Sequence, residues 1–228
     1  MGYSLVLLAA GQGKRMQAGR NKLFIELKGK PLITYTLKAF EEDEWCEEII
    51  IVAHQDEIDI LKQIVRDFHY EKVKVILVGG AERQDSVRVG IAAIDMEKIV
   101  LIHDGARPFV KKAYVHQLIA KTEEVGAAIL AVPTKETIKE VHQQRVSKTL
   151  ERRLLWNVQT PQAFQLPIIQ EAHQQALQEG RIGTDDASLV EWVKHPVAIV
   201  EGDYYNIKIT TPEDLLFAEA ILEREVRE

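Results

Sequence analysis

Short runs of Val, Ile and Leu alternate along the chain with longer segments of helical periodicity, and this alternation limits the possible folds most strongly. Each apolar run is shorter than a typical helix and rich in branched residues, which predicts buried strands. A β–α–β–α order predicts an α/β protein with a mostly parallel sheet and helices on both faces. The predicted strands are Tyr3–Ala10, Glu48–His54, Val73–Val78, Lys98–His103, Ala127–Val132 and Val197–Glu201.

Helices are predicted between these strands. Leu32–Phe40 follows Pro31, which occupies a favoured first helical position. A helix from Pro212 has Thr211 as its N-cap residue. The remaining predicted helices are Glu57–His69, Asp85–Ile94, Lys111–Glu124, Pro167–Glu179 and Asp185–Trp192. Because ligands of such sheets bind beyond the carboxyl ends of the strands, the loops that follow the strands are the candidate site.

The pattern changes after Pro133. Thr137–Val141 alternates, His142–Arg145 is polar, and Val146–Leu155 resumes the alternation. This predicts a projecting β-hairpin arm over residues 134–155, inserted into a single domain of residues 1–228. The arm is rich in basic residues, a composition that a solvated hairpin would share.

The charge and cysteine content exclude several classes of protein. The 228 residues carry 29 Lys and Arg against 35 Asp and Glu, a net charge of −6, which argues against nucleic-acid and basic membrane binding. The single Cys46 excludes an intramolecular disulfide and a multi-cysteine metal site. No apolar run approaches the ~18 residues of a membrane span, and Leu5–Ala10 lacks the basic leader of a signal peptide. We therefore expect a cytoplasmic protein.

A glycine loop, Ala9-Ala10-Gly11-Gln12-Gly13-Lys14-Arg15-Met16, follows the first strand. A Walker P-loop is excluded because Arg15 stands where Ser or Thr is required. A dinucleotide fingerprint, and with it a nicotinamide oxidoreductase, is disfavoured because Met16 replaces the last glycine. The third interpretation is a triphosphate loop with cationic side chains from Lys14, Arg15 and Lys22, although a tight turn with solvated lysines would look the same.

Two further loops carry polar residues after a strand. In the loop that begins Gly79-Gly80, Asp85 and Ser86 suit either a helix cap or the recognition of a base. In the loop after Lys98–His103, Asp104 suits a metal or a ribose hydroxyl, and Arg107 suits a phosphate. A plain turn remains an alternative for this second loop, and His103 is interpreted as structural.

Seven segments occur in an order that is more specific than any one of them. They are Ala-Ala-Gly-x-Gly-x-Arg-Met at 9–16, Lys-Leu at 22–23, Gly-Gly-x-x-Arg-x-Asp-Ser at 79–86, His-Asp-x-Ala-Arg-Pro at 103–108, Thr-Pro-Gln at 160–162, Thr-Asp-Asp-Ala-Ser at 184–188 and Asn-Ile-Lys-Ile-Thr at 206–210. Over essentially its whole length, the chain resembles the 2-C-methyl-D-erythritol 4-phosphate cytidylyltransferases of the non-mevalonate isoprenoid pathway.

This resemblance implies a Rossmann-like fold, transfer of CMP from CTP to methylerythritol phosphate, a Mg²⁺ cofactor and a homodimer formed through the arm. It assigns catalysis to Arg15, Lys22, Arg152 and Lys208. It assigns CTP binding to Ala9, Ala10, Gly11, Gly13, Gly80, Asp85 and Ser86. It assigns substrate binding to Asp104, Arg107, Thr137, Thr160 and Thr184, with Asp104 also near the metal ion.

Two alternatives remain open at this point. A pentitol-phosphate cytidylyltransferase, for example one that uses ribitol 5-phosphate, shares the glycine loop, the lysine and the His-Asp-x-Ala-Arg-Pro motif. Asn206-Ile207-Lys208 and Thr160-Pro161-Gln162 favour methylerythritol phosphate instead. A catalytically silent nucleotide-binding scaffold on the same fold is the second alternative, and it would have no need of Arg15 or Lys22.

Overall fold

A seven-stranded sheet forms the centre of the protein. The computed structural model describes residues 2–11, 21–94 and 98–225. In chain order the strands are β1 (Tyr3–Leu8), β2 (Glu26–Leu27), β3 (Lys30–Pro31), β4 (Cys46–Ala53), β5 (Val73–Val78), β6 (Ile99–Asp104), β7 (Ala127–Pro133), β8 (Lys139–His142), β9 (Arg145–Thr149), β10 (Trp156–Gln165) and β11 (Ala198–Glu201). The central sheet has the order β11-β7-β10-β6-β1-β4-β5, and β2–β3 and β8–β9 form separate hairpins.

Helices cover both faces of the sheet, as the strand–helix alternation predicts. They are α1 (Leu32–Glu41), α2 (Ile58–Asp67), α3 (Arg83–Ile91), α4 (Lys112–Val125), α5 (Leu166–Glu179), α6 (Asp186–Trp192) and α7 (Pro212–Glu225). One core cluster joins the sheet to α1, α2, α4 and α7, and the other joins it to α3, α5 and α6. Side chains that alternate along β1 divide between the two clusters, since Leu5 and Leu7 face one and Val6 the other.

The six strands predicted for the sheet are confirmed, with ends that differ by a few residues. The seventh, β10, was not predicted. It lies antiparallel between β6 and β7, whereas the other strand pairs of the sheet are parallel. Its pairing with β7 shifts register between Val158 and Gln162, and Pro161 lies in that irregular stretch. Polar residues and a proline at its centre interrupt its apolar residues, so no apolar run marks this strand in the sequence.

The predicted hairpin arm is present as β8 and β9, which pair antiparallel. Gln143 and Gln144 connect them with φ angles of 47° and 61°, as a type I′ turn requires. The predicted second strand of the arm, Val146–Leu155, is too long, because β9 ends at Thr149 and residues 152–154 form a 3₁₀ turn. Within the described ranges, none of the helices has the length and apolar character needed to cross a membrane.

Helix α3 packs closely on the sheet at Gly90. A Cβ atom at this position would lie 2.4 Å from Cγ1 of Val6 and 3.1 Å from Cγ2 of Val52. Both valines are buried, at 0% exposure, and their branched side chains have little freedom to move away. Gly90 is therefore required by the distance between helix and sheet.

We expect Gly90→Ala to lower the free energy of unfolding by about 1–3 kcal/mol, because overpacking outweighs the better helix propensity of alanine. Urea denaturation measures the change. Val6→Ala removes the atom that the new methyl group meets, so adding Gly90→Ala to Val6→Ala should cost much less than it does in the wild type. Equal costs in the two backgrounds would contradict the close packing.

Candidate active site

A cleft lies at the carboxyl ends of β1, β5 and β6, where the sheet topology predicts a ligand site. Its walls come from the loops that follow these strands, together with the segments around Lys22 and Lys208. The residues that line it are Leu8, Ala10, Gly11, Lys22, Leu23, Gly80, Arg83, Ser86, Asp104, Gly105, Ala106 and Lys208. Three cations and one carboxylate in this list make the described part of the cleft suited to an anionic ligand.

The carboxylate of Asp104, the last residue of β6, lies between two of these cations. Nζ of Lys208 is 2.5 Å from its Oδ2, and Nε of Arg83 is 3.6 Å from its Oδ1. Burial alone would raise the pKa of Asp104, but Lys208 and Arg83 hold it well below its ordinary range. Asp104 is therefore ionised at neutral pH, and its charge fixes the positions of both cations.

A chain of hydrogen bonds holds the end of β6 in place. The amide of Asp104 donates to Oγ1 of Thr160 at 3.0 Å, and Oγ1 lies 3.0 Å from Nδ1 of His103. Nε2 of His103 lies 3.0 Å from the carbonyl oxygen of Arg107, which makes Nε2 the protonated nitrogen and Nδ1 the acceptor. Burial lowers the pKa of the His103 imidazole to about 4, so this residue is neutral and structural, as the sequence predicts.

The segment that carries Lys208 is fixed from two sides. Nδ2 of Asn206 donates to Oε1 of Gln159 and to the carbonyl oxygen of Thr160. Arg107 donates from Nη1 to the carbonyl oxygen of Asn206 at 2.7 Å, and Lys22 donates from Nζ to the carbonyl oxygen of Ile209 at 2.7 Å. Lys22 and Lys208 line the same cleft, whereas Arg107 holds the segment without lining the cleft.

The Gly79-Gly80 loop forms a further part of the cleft wall through Gly80. A Cβ atom on Gly80 would lie 2.2 Å from Cβ of Asp85, so no side chain fits there. The amide of Gly80 donates to Oγ of Ser86, and Oδ2 of Asp85 accepts from the amide of Glu82. The helix-capping interpretation is thus confirmed for Asp85, whereas Ser86 ties the Gly80 amide to the carbonyl oxygen of Glu82 and does not cap the helix. Contact of either residue with a base stays a prediction.

The first loop is only partly described. Ala10 and Gly11 line the cleft, whereas the predicted residues Gly13 and Arg15 lie outside the described residues. The amide of Ala9 donates to the carbonyl oxygen of Val52 at 2.7 Å. That amide is not available to a phosphate, so Ala9 supports the loop from the interior, and its contact with CTP stays a prediction.

Five of the described residues that were predicted for catalysis or substrate binding do not line the cleft. Arg107 is one of them, and it donates instead to the carbonyl oxygen of Asn206. Thr137 and Arg152 are exposed on the arm, where Nη1 of Arg152 donates to the carbonyl oxygen of Lys135. Thr184 is exposed just before α6. Thr160 is 6% exposed and uses its hydroxyl on Asp104 and His103, so here it positions the end of β6. Direct contacts of these five residues with a substrate stay predictions.

Two residues that lie in the sequence motifs but had no predicted role make well-defined contacts in the structure. Gln162 is fully buried, and its Oε1 accepts from the amides of Asp186 and Ala187 while its Nε2 donates to Asp185. Arg83 pairs with Asp104 and Asp186. Gln162 and Arg83 both belong to motifs that were identified in the sequence. A motif identifies the type of a residue, but it does not show which distant residue that side chain contacts.

A second acidic group lies outside the cleft. Ligand atoms of Asp43, Glu44 and His116 lie within 4.8 Å of one another. Asp43 accepts from the hydroxyl of Tyr3 and from His116, and Glu44 pairs with Lys112 at 2.7 Å. These contacts account for the cluster without an ion.

The fold and the cleft define a class of protein, an α/β nucleotide-binding protein with a cationic site for a phosphorylated ligand. The profile of the family IspD, 2-C-methyl-D-erythritol 4-phosphate cytidylyltransferase, matches residues 3–224. An enzyme of that name from Halalkalibacterium halodurans is 53% identical over 227 residues, covering 100% of both chains. The one from Geobacillus kaustophilus is 54% identical over 222 residues, covering 97% of each.

Solved structures agree with these matches. The 4-diphosphocytidyl-2C-methyl-D-erythritol synthase of Anaerococcus prevotii superposes with a TM-score of 0.86 at 33% identity, covering 97% of this chain and 96% of that one. The 2-C-methyl-D-erythritol 4-phosphate cytidylyltransferase of Thermus thermophilus gives 0.80 at 32% identity, covering 98% and 100%. The chain belongs to the 2-C-methyl-D-erythritol 4-phosphate cytidylyltransferase family. The resemblance drawn from the sequence motifs is confirmed.

The Thr160 hydroxyl can be tested with two closely matched variants. Thr160→Val keeps the shape of the side chain but leaves the amide of Asp104 and Nδ1 of His103 buried without a partner, which should cost about 1–3 kcal/mol of unfolding free energy. Thr160→Ser keeps the hydroxyl and should lose less than half as much. Chemical denaturation measures both, and a valine variant as stable as the serine variant would contradict the hydrogen-bond chain.

Proposed function

We propose that this protein transfers CMP from CTP to 2-C-methyl-D-erythritol 4-phosphate and releases pyrophosphate, a step of isoprenoid biosynthesis. The observation that carries the proposal is the full-length match, at 53% identity, to a relative named for that substrate. The match favours methylerythritol phosphate over a pentitol phosphate and over a silent scaffold. The cationic cleft supports it, because both substrates and the leaving group are anionic.

In this reaction the protein has to position the two substrates and stabilise the negative charge of the transition state. A phosphate monoester has a second pKa near ~6, so the attacking oxygen of the substrate is largely deprotonated at pH 7 without a general base. Negative charge then builds on the oxygens around the α-phosphorus and on the departing pyrophosphate as the attacking oxygen approaches in line. In this proposal Lys22 and Arg15 stabilise that charge, Lys208 and Arg107 hold the substrate phosphate, and the backbone at Gly11 faces the triphosphate.

We infer that Mg²⁺ accompanies CTP. Asp104 is the carboxylate among the described residues of the cleft wall, and one carboxylate fits an ion held mainly by substrate phosphates. Asp104 would hold the ion from the protein side, and the ion would offset the charge of the triphosphate. The predicted cytoplasmic location also belongs to this proposal.

We also infer a homodimer formed through the arm, residues 134–155, with Arg152 completing the partner's site. Every residue of β8 and β9 is exposed, and Val141 and Val146, which pair across the hairpin, are 52% and 61% exposed. An isolated two-stranded hairpin is marginally stable in water. A two-fold partner would supply the surface that covers this apolar pair.

The function is tested by incubating the protein with CTP, Mg²⁺ and methylerythritol phosphate and measuring pyrophosphate release. We expect turnover that stops with excess chelator and returns with Mg²⁺. UTP should have a kcat/KM lower by roughly 100-fold or more, because a site built for the cytosine amino group leaves polar groups unpaired with uracil. Ribitol 5-phosphate is the matched control substrate. Faster turnover with it would contradict the assignment of the substrate.

The arm is tested by mixing two variants. Lys22→Ala should lower turnover roughly 10²- to 10³-fold, and we expect Arg152→Ala to be comparably impaired. If Arg152 acts in the partner's site, a mixed dimer has one site with both defects and one intact site. Unfolding and refolding an equal mixture should then restore about a quarter of wild-type turnover.

The control is the same mixture without refolding, which should stay inactive until the subunits exchange. Mass spectrometry of the mixed dimer verifies the exchange. Proven exchange with no recovery of turnover would show that Arg152 acts within its own subunit or that the arm does not form the dimer.

A further inference from the structure

Arg83 occupies a position where helix energetics disfavour a cation. It is the first residue of α3, beside the partial positive charge of the helix N-terminus, where an acidic side chain would be stabilising. Local structure therefore does not explain an arginine there. The contacts of its guanidinium group do.

The guanidinium group bridges two carboxylates that belong to different loops. Its Nη1 is 2.7 Å from Oδ2 of Asp186, and its Nε is 3.6 Å from Oδ1 of Asp104. The side chain is 33% exposed and forms part of the cleft wall. The planar fork of an arginine presents separate N–H groups to the two partners in a fixed geometry, whereas the ammonium group of a lysine is a compact point charge.

Asp186 depends on Arg83 for charge compensation. It is 1% exposed, and neither of its carboxylate oxygens has an aligned hydrogen-bond donor among the described residues. Nε2 of His173 lies 3.4 Å from its other oxygen. Burial would raise the pKa of Asp186, but the nearby Arg83 charge holds it low, so Asp186 is ionised and anchors the arginine.

Asp104 is the second partner, and it faces the cleft. The positive charge of Lys208 alone would balance the negative charge of the Asp104 carboxylate. Arg83 adds a second positive charge to the same wall. We propose that Arg83 is a positioning residue of the nucleotide site, held from the interior by Asp186 so that it offsets the charge of Asp104 and keeps the wall favourable to a triphosphate. This inference rests on the proposed function, since its ligand is CTP.

The neighbouring residue provides a second attachment for the start of α3. Nε2 of Gln84 donates to the carbonyl oxygen of Arg181, and its Oε1 accepts from the amide of Gly183. The start of α3 therefore stays attached to the segment before α6 when Arg83 is replaced. This attachment makes a neutral variant suitable for a binding measurement.

The experiment compares Arg83→Gln, Asp186→Asn and the double variant. Thermal denaturation gives Tm, and calorimetry gives the Kd of CTP in the presence of Mg²⁺. Arg83→Gln leaves Asp186 buried without a charge partner, so its Tm should fall by about 5–15 °C. It also removes a cation from the cleft wall, so the Kd of CTP should rise roughly 10- to 100-fold.

The double variant separates the effect of Arg83 on stability from its effect on CTP binding. It has no unpaired buried charge, so its Tm should return to within a few degrees of that of Asp186→Asn, the matched control. The Kd of CTP for Asp186→Asn should stay within about threefold of the wild type, because the amide oxygen of the asparagine can still accept from Nη1 of Arg83 and keep it beside Asp104. The double variant should remain at least about tenfold weaker than this control.

Two results would overturn the proposal. One is a double variant that binds CTP as tightly as Asp186→Asn, which would make Arg83 purely structural. The other is an Arg83→Gln protein with the Kd of the wild type. If Arg83→Gln does not fold, the double variant and its control still decide the question. Turnover of the wild type with methylerythritol phosphate, measured on the same preparation, tests the proposed function separately.

Discussion

Three polar side chains buried on the antiparallel strand β10 fix the geometry of the cleft. Gln159, Thr160 and Gln162 are 6%, 6% and 0% exposed, in the middle of the sheet. A buried polar group must find a hydrogen-bond partner or destabilise the fold, so each residue restricts the segment that it contacts. Thr160 holds the end of β6, Gln159 holds the segment around Asp203 and Asn206, and Gln162 holds the start of α6. Strand β10 thus connects three loops that are far apart in the sequence.

The cations of the cleft are placed by this framework before any ligand arrives. The amide of Ile209 donates to the carbonyl oxygen of Ala106, and the carbonyl oxygen of Ile209 accepts from Lys22. Lys208 lies beside this anchored residue and pairs with Asp104. Charged groups fixed in this way need little reorganisation as charge develops on a reacting phosphate. The hydrogen bonds of the backbone and the ion pairs of the side chains therefore both hold the cations of the cleft in fixed positions.

The sequence predicted those parts of the fold that depend on local pattern. Apolar runs of four to eight residues predict parallel strands well, because such strands are buried on both faces. Strand β10 was not predicted because its apolar residues are interrupted by Gln159, Thr160, Pro161 and Gln162. Their polarity is explained by hydrogen bonds to distant segments, which no local window contains. The same holds for Arg83, whose partners Asp104 and Asp186 lie on other elements.

The two ends of the arm are joined to each other at its base. Its base is tied by backbone hydrogen bonds, from Thr134 to Leu155 and from Leu150 to Ile138, and by Arg152 to Lys135. Beyond this base the apolar pair Val141 and Val146 contributes to neither core cluster. A chain that only needed to connect β7 to β10 could do so with a short turn, since antiparallel neighbours permit one. The length of the arm and its exposed apolar pair are the features on which the proposed contact with a second subunit rests.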